Sequence, residues 1–304
     1  MKTPQLPAPE LAAALGIPVE LWLKREDLHR HGSHKGRSIP LMIDEAAERQ
    51  GLRHFVISSS GNAALSAIIS VRNHNKSRPA DPYYLQVYIG HRLGESKLGK
   101  LQKAAEADPA ISINQVERPK QEAFQTSKQD GVKWLRQSTD ETALRGYLEL
   151  AKEIGRIHNL AAVFLPASSG TTLVGLAQGF AKLGLKPQLH AVQTPTCHPL
   201  IDELARSGGT CYASSSTPEV SSTAGAIADL VAFRQAAVAE AIIASGGAGW
   251  IVGNEAVAEA QAQTKKNARI DVSPNGALGL AALGQAQKNH WPFTGPVAVI
   301  ITGE

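Results

Sequence analysis

Four short segments hold residue types at spacings that can do chemistry. The first is Leu21-Trp22-Leu23-Lys24-Arg25-Glu26-Asp27-Leu28, followed by His29-Arg30-His31-Gly32-Ser33-His34-Lys35-Gly36-Arg37-Ser38. It places Lys35 in a turn of small residues just ahead of a helical pattern, where an amine can enter a cleft and form a Schiff base with a carbonyl. Taken alone, a lysine at such a place is ordinarily solvated. The second segment, Ser58-Ser59-Ser60-Gly61-Asn62-Ala63-Ala64, follows a strand pattern and opens a helix. The unpaired N–H groups and positive dipole end of a helix start can hold a carboxylate there while Asn62 presents a neutral amide; a serine-rich N-cap accounts for the same residues. The third, Pro166-Ala167-Ser168-Ser169-Gly170-Thr171-Thr172-Leu173-Val174-Gly175, is again strand, small-residue loop and helix. Its backbone N–H groups and hydroxyls make a cradle for a phosphate dianion, with a plain strand-to-helix connection as the rival reading. It lacks the Gly-Lys-Ser/Thr ending of a nucleotide P-loop and the GxGxxG of a dinucleotide fold, so a small phosphate ester fits better than ATP or NAD. The fourth is the end of the chain, Val299-Ile300-Ile301-Thr302-Gly303-Glu304, which puts the Thr302 hydroxyl at a strand's carboxyl end, where open α/β sheets bind ligands.

The elements that must position these groups show in the hydrophobic pattern. Short β-branched or aromatic runs at His54–Ser59, Tyr83–Ile89, Ile111–Val116, Ala161–Pro166, Leu189–Gln193, Gly249–Val252 and Pro296–Ile301 read as strands. Segments of helical period lie between them at Ile39–Gln50, Ala63–Asn73, Glu95–Ala107, Thr142–His158, Thr172–Leu183, Pro199–Ser207, Phe233–Ala244, Glu255–Lys266 and Ala277–Lys288. This alternation predicts a doubly wound α/β architecture with parallel sheets. Gly51, Gly184 and Gly208 fall where helices end in glycine. Gln115–Asp140 is the most polar stretch and reads as connection or surface near a domain boundary, while the alanine-rich Ala224–Ala262 reads as packed helices.

Composition narrows the function classes. The 304 residues carry 31 Lys+Arg against 27 Asp+Glu, with 43% hydrophobic and 5% aromatic residues. That length suits two domains. No apolar run approaches the roughly 20 residues that span a bilayer, and prolines interrupt the start where a secretory signal would be apolar, so a cytoplasmic protein with no membrane association is expected. Cys197 and Cys211 are the only cysteines, which excludes a disulfide framework and a structural zinc site; no metal site is expected. The sequence pI near 9.0 comes from scattered charges with few aromatics to stack on bases, so no nucleic-acid partner is expected.

Together, an amine, an amide at a helix start, a phosphate cradle and a strand-end hydroxyl are the needs of pyridoxal phosphate (PLP). KREDL…GSHKGR, SSSGNAA and SSGTTLVGLA fall in the order and approximate spacing of the tryptophan-synthase-β-like, or fold-type II, PLP enzymes, which the chain resembles over nearly its whole length. The run Ile270-Asp271-Val272-Ser273-Pro274-Asn275-Gly276-Ala277 is similar to that family's Glu-Pro-x-Gly-Ala segment. The resemblance implies two three-layer α/β domains, residues 1–38 and 143–304 as the larger and 39–142 as a smaller mobile one, with the cofactor in the cleft between them. It implies a homodimer and a small amino-acid substrate. It makes Lys35 the catalytic Schiff-base lysine, sets Asn62 beside the cofactor's 3-hydroxyl, makes Ser168, Ser169, Gly170, Thr171 and Thr172 the phosphate loop, and puts Thr302 beside the pyridine nitrogen. His34 resembles the histidine of the Ser-His-Lys run in tryptophan synthase β and is assigned to the phosphate, with a surface or capping role as the alternative. Ser59, Ser60, Gly61, Asn62 and Ala63 would bind the substrate's α-carboxylate.

The implied chemistry is β/γ-elimination or replacement: Lys35 takes the α-proton while a substituent leaves. A threonine at the ring nitrogen need not hold that nitrogen protonated, which disfavours transamination and racemisation. Thr223–Ala228, Ile243-Ala244-Ser245-Gly246-Gly247, Ile251–Ala256 and Ile301-Thr302-Gly303 are similar to segments of threonine synthases and threonine dehydratases. His34 and Gly36 replace the aromatic and the acid that threonine synthases carry around the lysine. A threonine synthase-like or threonine/serine ammonia-lyase-like enzyme is therefore expected. Cysteine synthase, whose carboxylate loop commonly reads Thr-Ser-Gly-Asn-Thr, D-cysteine desulfhydrase or aminocyclopropane-carboxylate deaminase, a diamino-acid biosynthetic enzyme and a PLP-binding subunit without independent turnover stay open as alternatives.

Overall fold

The structure is a computed structural model that describes residues 2–91, 93–105, 108–213 and 219–303. The chain forms two compact units, one of Met1–His29 with Tyr147–Glu304 and one of Arg30–Gly146. Among the described residues the strands are β1 (Gln5–Pro7), β2 (Leu21–Arg25), β3 (His54–Ser58), β4 (Tyr84–Gly90), β5 (Ile111–Val116), β6 (Val132–Trp134), β7 (Ala162–Pro166), β8 (Gln188–Gln193), β9 (Cys211–Ala213), β10 (Gly249–Ile251) and β11 (Val297–Ile301). The helices are α1 (Pro9–Ala14), α2 (Ile39–Gln50), α3 (Asn62–Ser77), α4 (Glu95–Ala105), α5 (Pro119–Thr126), α6 (Thr142–Arg145), α7 (Leu148–Ile154), α8 (Thr171–Lys182), α9 (Pro199–Arg206), α10 (Gln235–Ser245), α11 (Asn254–Ala268) and α12 (Pro274–Lys288).

The larger unit is built on a sheet in the order β1-β2-β11-β7-β8-β10-β9, parallel except for β1 against β2. Its middle strands, AVFLP in β7 and VAVII in β11, are buried at every residue, as expected for parallel strands covered by helices. Helix α12 packs on β7, β8 and β11, α10 and α8 on β8, and α9 on β10. The smaller unit has a four-stranded parallel sheet in the order β5-β4-β3-β6, with α3 and α5 against it. Each unit has its own apolar core, one around Leu23, Phe164, Trp250 and Leu283, the other around Met42, Phe55, Ile68 and Val87. Gly51, Gly184 and Gly208 follow α2, α8 and α9 with positive φ, as their positions predict.

Three expectations need correction. The packed helices read over Ala224–Ala262 hold only for α10 and α11, Ala224–Arg234 being irregular. Gln115–Asp140 is not mere connection: it contains the end of β5, α5 and β6. Helix α5 buries only Ala123 and Thr126, too little to show a period, and no residue of β6 is fully buried. The pattern over Thr142–His158 is two helices, α6 and α7, parted at Gly146 and Tyr147, and Gly146 lies where a Cβ would collide with the backbone carbonyl of Arg37. Strands β1, β2 and β9 and helix α1 are further elements that the hydrophobic pattern does not announce. The helix expected over Glu95–Ala107 runs Glu95–Ala105, its last two residues lying outside the described residues.

Candidate active site

Of the residues expected in a site, Ser168, Ser169, Gly170, Thr171, Thr172 and Thr302 belong to the larger unit, and His34, Lys35, Ser59, Ser60, Gly61, Asn62 and Ala63 to the smaller one.

In the larger unit, β7 runs into the Ala167–Gly170 loop and on into α8. Gly170 caps that helix at φ 80°, and a Cβ there would run into Val238, so only glycine lets the loop turn at this point. No side chain caps the helix, so the first-turn N–H groups of α8 remain available to an anion. Around them lie the hydroxyls of Ser169 and Thr171, 3.0 Å apart, with Thr171 and Thr172 buried. The Ser168 Oγ accepts from the backbone N–H groups of Ala228 and Asp229, each at 3.2 Å, and its own proton can still be given to an anion.

Next to β7 lies β11 in parallel register, with Val299 opposite Phe164. Strand β7 ends at Pro166 and β11 at Ile301, so the Ala167–Gly170 loop and Thr302 follow neighbouring carboxyl ends of one sheet. Strand β7 connects onward to β8 on one side and has the last strand, β11, on its other side, and open α/β sheets bind ligands outside the carboxyl ends of their strands. Thr302 is 4% exposed and is followed by Gly303 at φ 114°. The uncapped start of α8, the hydroxyls of Ser168, Ser169 and Thr171 around it and the neutral hydroxyl at Thr302 suit a phosphorylated pyridine.

Sequence reasoning missed Ser273, whose Oγ donates to the Gly303 carbonyl at 2.8 Å, and Asn275, whose Oδ1 accepts from Ala226 N at 2.9 Å. Both lie in the Ile270–Ala277 run, but pairings across 30 and 49 residues leave no local signal. The Ser245-Gly246-Gly247 run has a packing reason: Ser245 Oγ accepts from Leu189 N at 3.0 Å, and a Cβ at Gly247 would collide with the Leu189 backbone.

In the smaller unit, Lys35 sits half-buried in a 3₁₀ turn, His34–Arg37, capped by Ser33, whose Oγ accepts from Lys35 N at 3.3 Å. Ser38 Oγ donates to the Lys35 carbonyl at 3.4 Å and accepts from Gln137 Nε2. His34, Arg37 and Ser38 are buried. The turn packs on α3, and His31 Nδ1 lies 3.0 Å from Ser66 Oγ of that helix. Strand β3 ends in Ser58-Ser59-Ser60-Gly61, Gly61 caps α3 without a side-chain hydrogen bond, and Asn62 is its first residue. Ser59 Oγ accepts from Gly61 N at 3.3 Å, Ser60 and Gly61 are exposed, and Asn62 and Ala63 are half-buried. The amine-bearing turn and the small-residue helix start thus share one scaffold, α3.

The fold is that of fold-type II PLP enzymes. Similar solved structures include the processed form of threonine deaminase isoform 2 from Solanum lycopersicum (18% identity, TM-score 0.79, covering 100% of this chain and 84% of that one). Maize serine racemase is also similar (17%, 0.80, 100% and 89%), as is a fungal L-serine ammonia-lyase from Rhizomucor miehei (17%, 0.79, 100% and 93%). No curated protein matches the sequence. The family model described as pyridoxal-phosphate dependent enzyme matches residues 1–78 and 91–303, and the chain belongs to that family. Its cofactor is accordingly PLP. Among the described residues no helix is long and apolar enough to cross a membrane.

Proposed function

We propose that this PLP-dependent enzyme is a lyase catalysing β/γ-elimination or replacement on a small amino acid, in the manner of threonine/serine ammonia-lyases or threonine synthase. The observation that carries the reading is the larger unit's pairing of a glycine-turned phosphate cradle with the Thr302 hydroxyl on the adjacent strand end. The substrate class is supported by the similar structures, a threonine deaminase, a serine racemase and an L-serine ammonia-lyase. When bound, PLP supplies an electron sink for the substrate's α-carbon.

The chain's own residues do the rest. Lys35 would anchor the cofactor through its amine, and its Nζ would serve as the base for the substrate's α-proton. The first-turn N–H groups of α3, with Ser59, Ser60, Gly61 and Ala63, hold the substrate carboxylate at a positive helix end. Asn62 gives a neutral amide to the cofactor's 3-hydroxyl. Ser168, Ser169, Gly170, Thr171 and Thr172 hold the phosphate, with His34 as a further donor. Thr302 would offer the ring nitrogen a hydroxyl rather than a carboxylate, which need not hold that nitrogen protonated and so disfavours racemisation relative to loss of a β-substituent.

The test is spectroscopic. Reconstitution with PLP should give a visible Schiff-base band that is absent in Lys35→Ala, and serine or threonine, out of an amino-acid panel, should deplete it with release of ammonia and a 2-oxo acid. Absence of the band from the wild-type protein, or retention of it in Lys35→Ala, overturns the reading. Turnover of serine to its enantiomer without ammonia replaces the lyase assignment with a racemase.

A further inference from the structure

Ser273 begins α12 and performs two tasks at once. Its Oγ accepts from Gly276 N at 3.1 Å, which caps the helix, and donates its proton to the carbonyl of Gly303 at 2.8 Å. The second bond reaches the strand end beside Thr302, the residue assigned to the ring nitrogen. Gly303 stands at φ 114°, a region that side-chain-bearing residues rarely adopt, so the carbonyl that Ser273 reaches belongs to a turn glycine makes possible. A Cβ at Gly276 would lie 3.0 Å from Ile301 Cγ2, so the start of α12 presses closely on the last residue of β11. Ser273 and Gly276 therefore fix the strand end from the same side, one by a hydrogen bond and the other by close approach.

We propose that Ser273 is a positioning residue: through the Gly303 carbonyl it sets where the Thr302 hydroxyl stands and hence how the pyridine nitrogen is held. This rests on the assignment of Thr302 to the ring nitrogen. A hydroxyl is suited to the task because it can accept from one backbone group and donate to another. An ionised carboxylate at the same place accepts equally well and caps helices well, but has no proton for a carbonyl. That difference separates the two tasks.

The test compares Ser273→Asp, Ser273→Ala and Ser273→Thr, each reconstituted with PLP and titrated by its visible band. Ser273→Asp keeps the cap and loses the tie, Ser273→Ala loses both, and Ser273→Thr keeps both. The expected result is a wild-type band in Ser273→Thr, and a displacement of the band's pH midpoint by about 0.5 unit or more in the other two. If Ser273 acts through Thr302, Ser273→Asp should add no spectral change in a Thr302→Ala background, because residues that act as one unit are non-additive. A cofactor-free measurement stands beside these: amide exchange in the Ile301–Gly303 peptide of the apo protein should rise about tenfold in Ser273→Asp. A wild-type band in Ser273→Asp, or a full additional shift in the Thr302→Ala background, overturns the inference while leaving the PLP reading intact. No band in the wild-type protein overturns both.

Discussion

His190 is fully buried in the larger unit, stacked on Phe164 at 4.1 Å and set edge-on to Trp291 at 5.0 Å. Its Nδ1 lies 3.2 Å from Ala248 N and 3.1 Å from Trp250 Nε1; both are obligate donors, so Nδ1 accepts and the neutral ring carries its proton on Nε2. Burial away from water disfavours the imidazolium and pulls the ring's pKa down to about 3, against about 6.5 in the unfolded chain. The folded state thus binds fewer protons, and this contribution to stability is complete above pH 6.5 and is lost as the pH falls from there towards 3. Denaturant titrations should show stability falling by about 1.4 kcal/mol per pH unit in that window from this group alone, and His190→Asn, whose Oδ1 can replace the Nδ1 acceptor without titrating, should flatten the slope. An unchanged slope would assign the acid sensitivity to other groups. Lys24 tells a related story at the other end of the sheet: it is 1% exposed, its Nζ lies 2.5 Å from Glu153 Oε2, and it donates to the Thr3 carbonyl at 2.9 Å. Glu153→Ala should destabilise the protein by several kcal/mol in urea unfolding by removing a carboxylate that a buried ammonium pairs with, whereas the double change Lys24→Met with Glu153→Leu should cost much less.

Elements explain what could be read from the sequence and what could not. The runs that became β7 and β11 were legible because strands buried on both faces are apolar throughout, and α2 because a proline near its start and Gly51 after its end mark its limits. Strand β2 was hidden because Lys24 and Arg25, cations within it, look like surface until Glu153 and Asp27 are known to pair with them. The chemistry-bearing motifs were visible by residue type, since each is a strand, a small-residue loop and a helix start. Their supports were not, because those are set by register and by contacts across the chain. The segment around Ala226 shows this best: Thr223 N is accepted by Asn254 Oδ1 at 2.8 Å, Ala226 N by Asn275, and Ala228 and Asp229 N by Ser168, while Ala224 and Ile227 are buried beneath. Three side chains thus hold an irregular stretch against the Ala167–Gly170 loop and the starts of α11 and α12. Asn275→Ala should raise amide exchange at Ala226 about tenfold with β7 and β11 unaffected, and exchange that rises equally across the whole unit would mean that Asn275 supports the fold instead.

At the scale of the whole molecule, the assigned residues are divided between the units, with the lysine in Arg30–Gly146 and the phosphate loop and Thr302 in the remainder. Charge is divided too. The smaller unit holds 18 Lys+Arg against 12 Asp+Glu, and the larger 13 against 15, so the basic excess belongs to the unit carrying Lys35. A dianionic cofactor in free solution is attracted by that excess, and such attraction is screened by salt. Its bound phosphate, by contrast, is assigned to backbone N–H groups and hydroxyls, which screening affects little. The rate of reconstitution should therefore fall severalfold between low and high ionic strength, with a smaller change in the rate of PLP loss. Cofactor removal supplies the equilibrium side of the same argument. A ligand that binds only the folded chain at 100 times its dissociation constant adds about 2.7 kcal/mol, which for a protein of this size raises the melting temperature by about 5 °C. Holoenzyme should melt that far above apoenzyme, Lys35→Ala should lose most of the gain, and Ser273→Thr should keep it. Equal melting temperatures with and without saturating PLP would show that the cofactor has no preference for the folded chain, and the assignment of its binding residues would fall with that result.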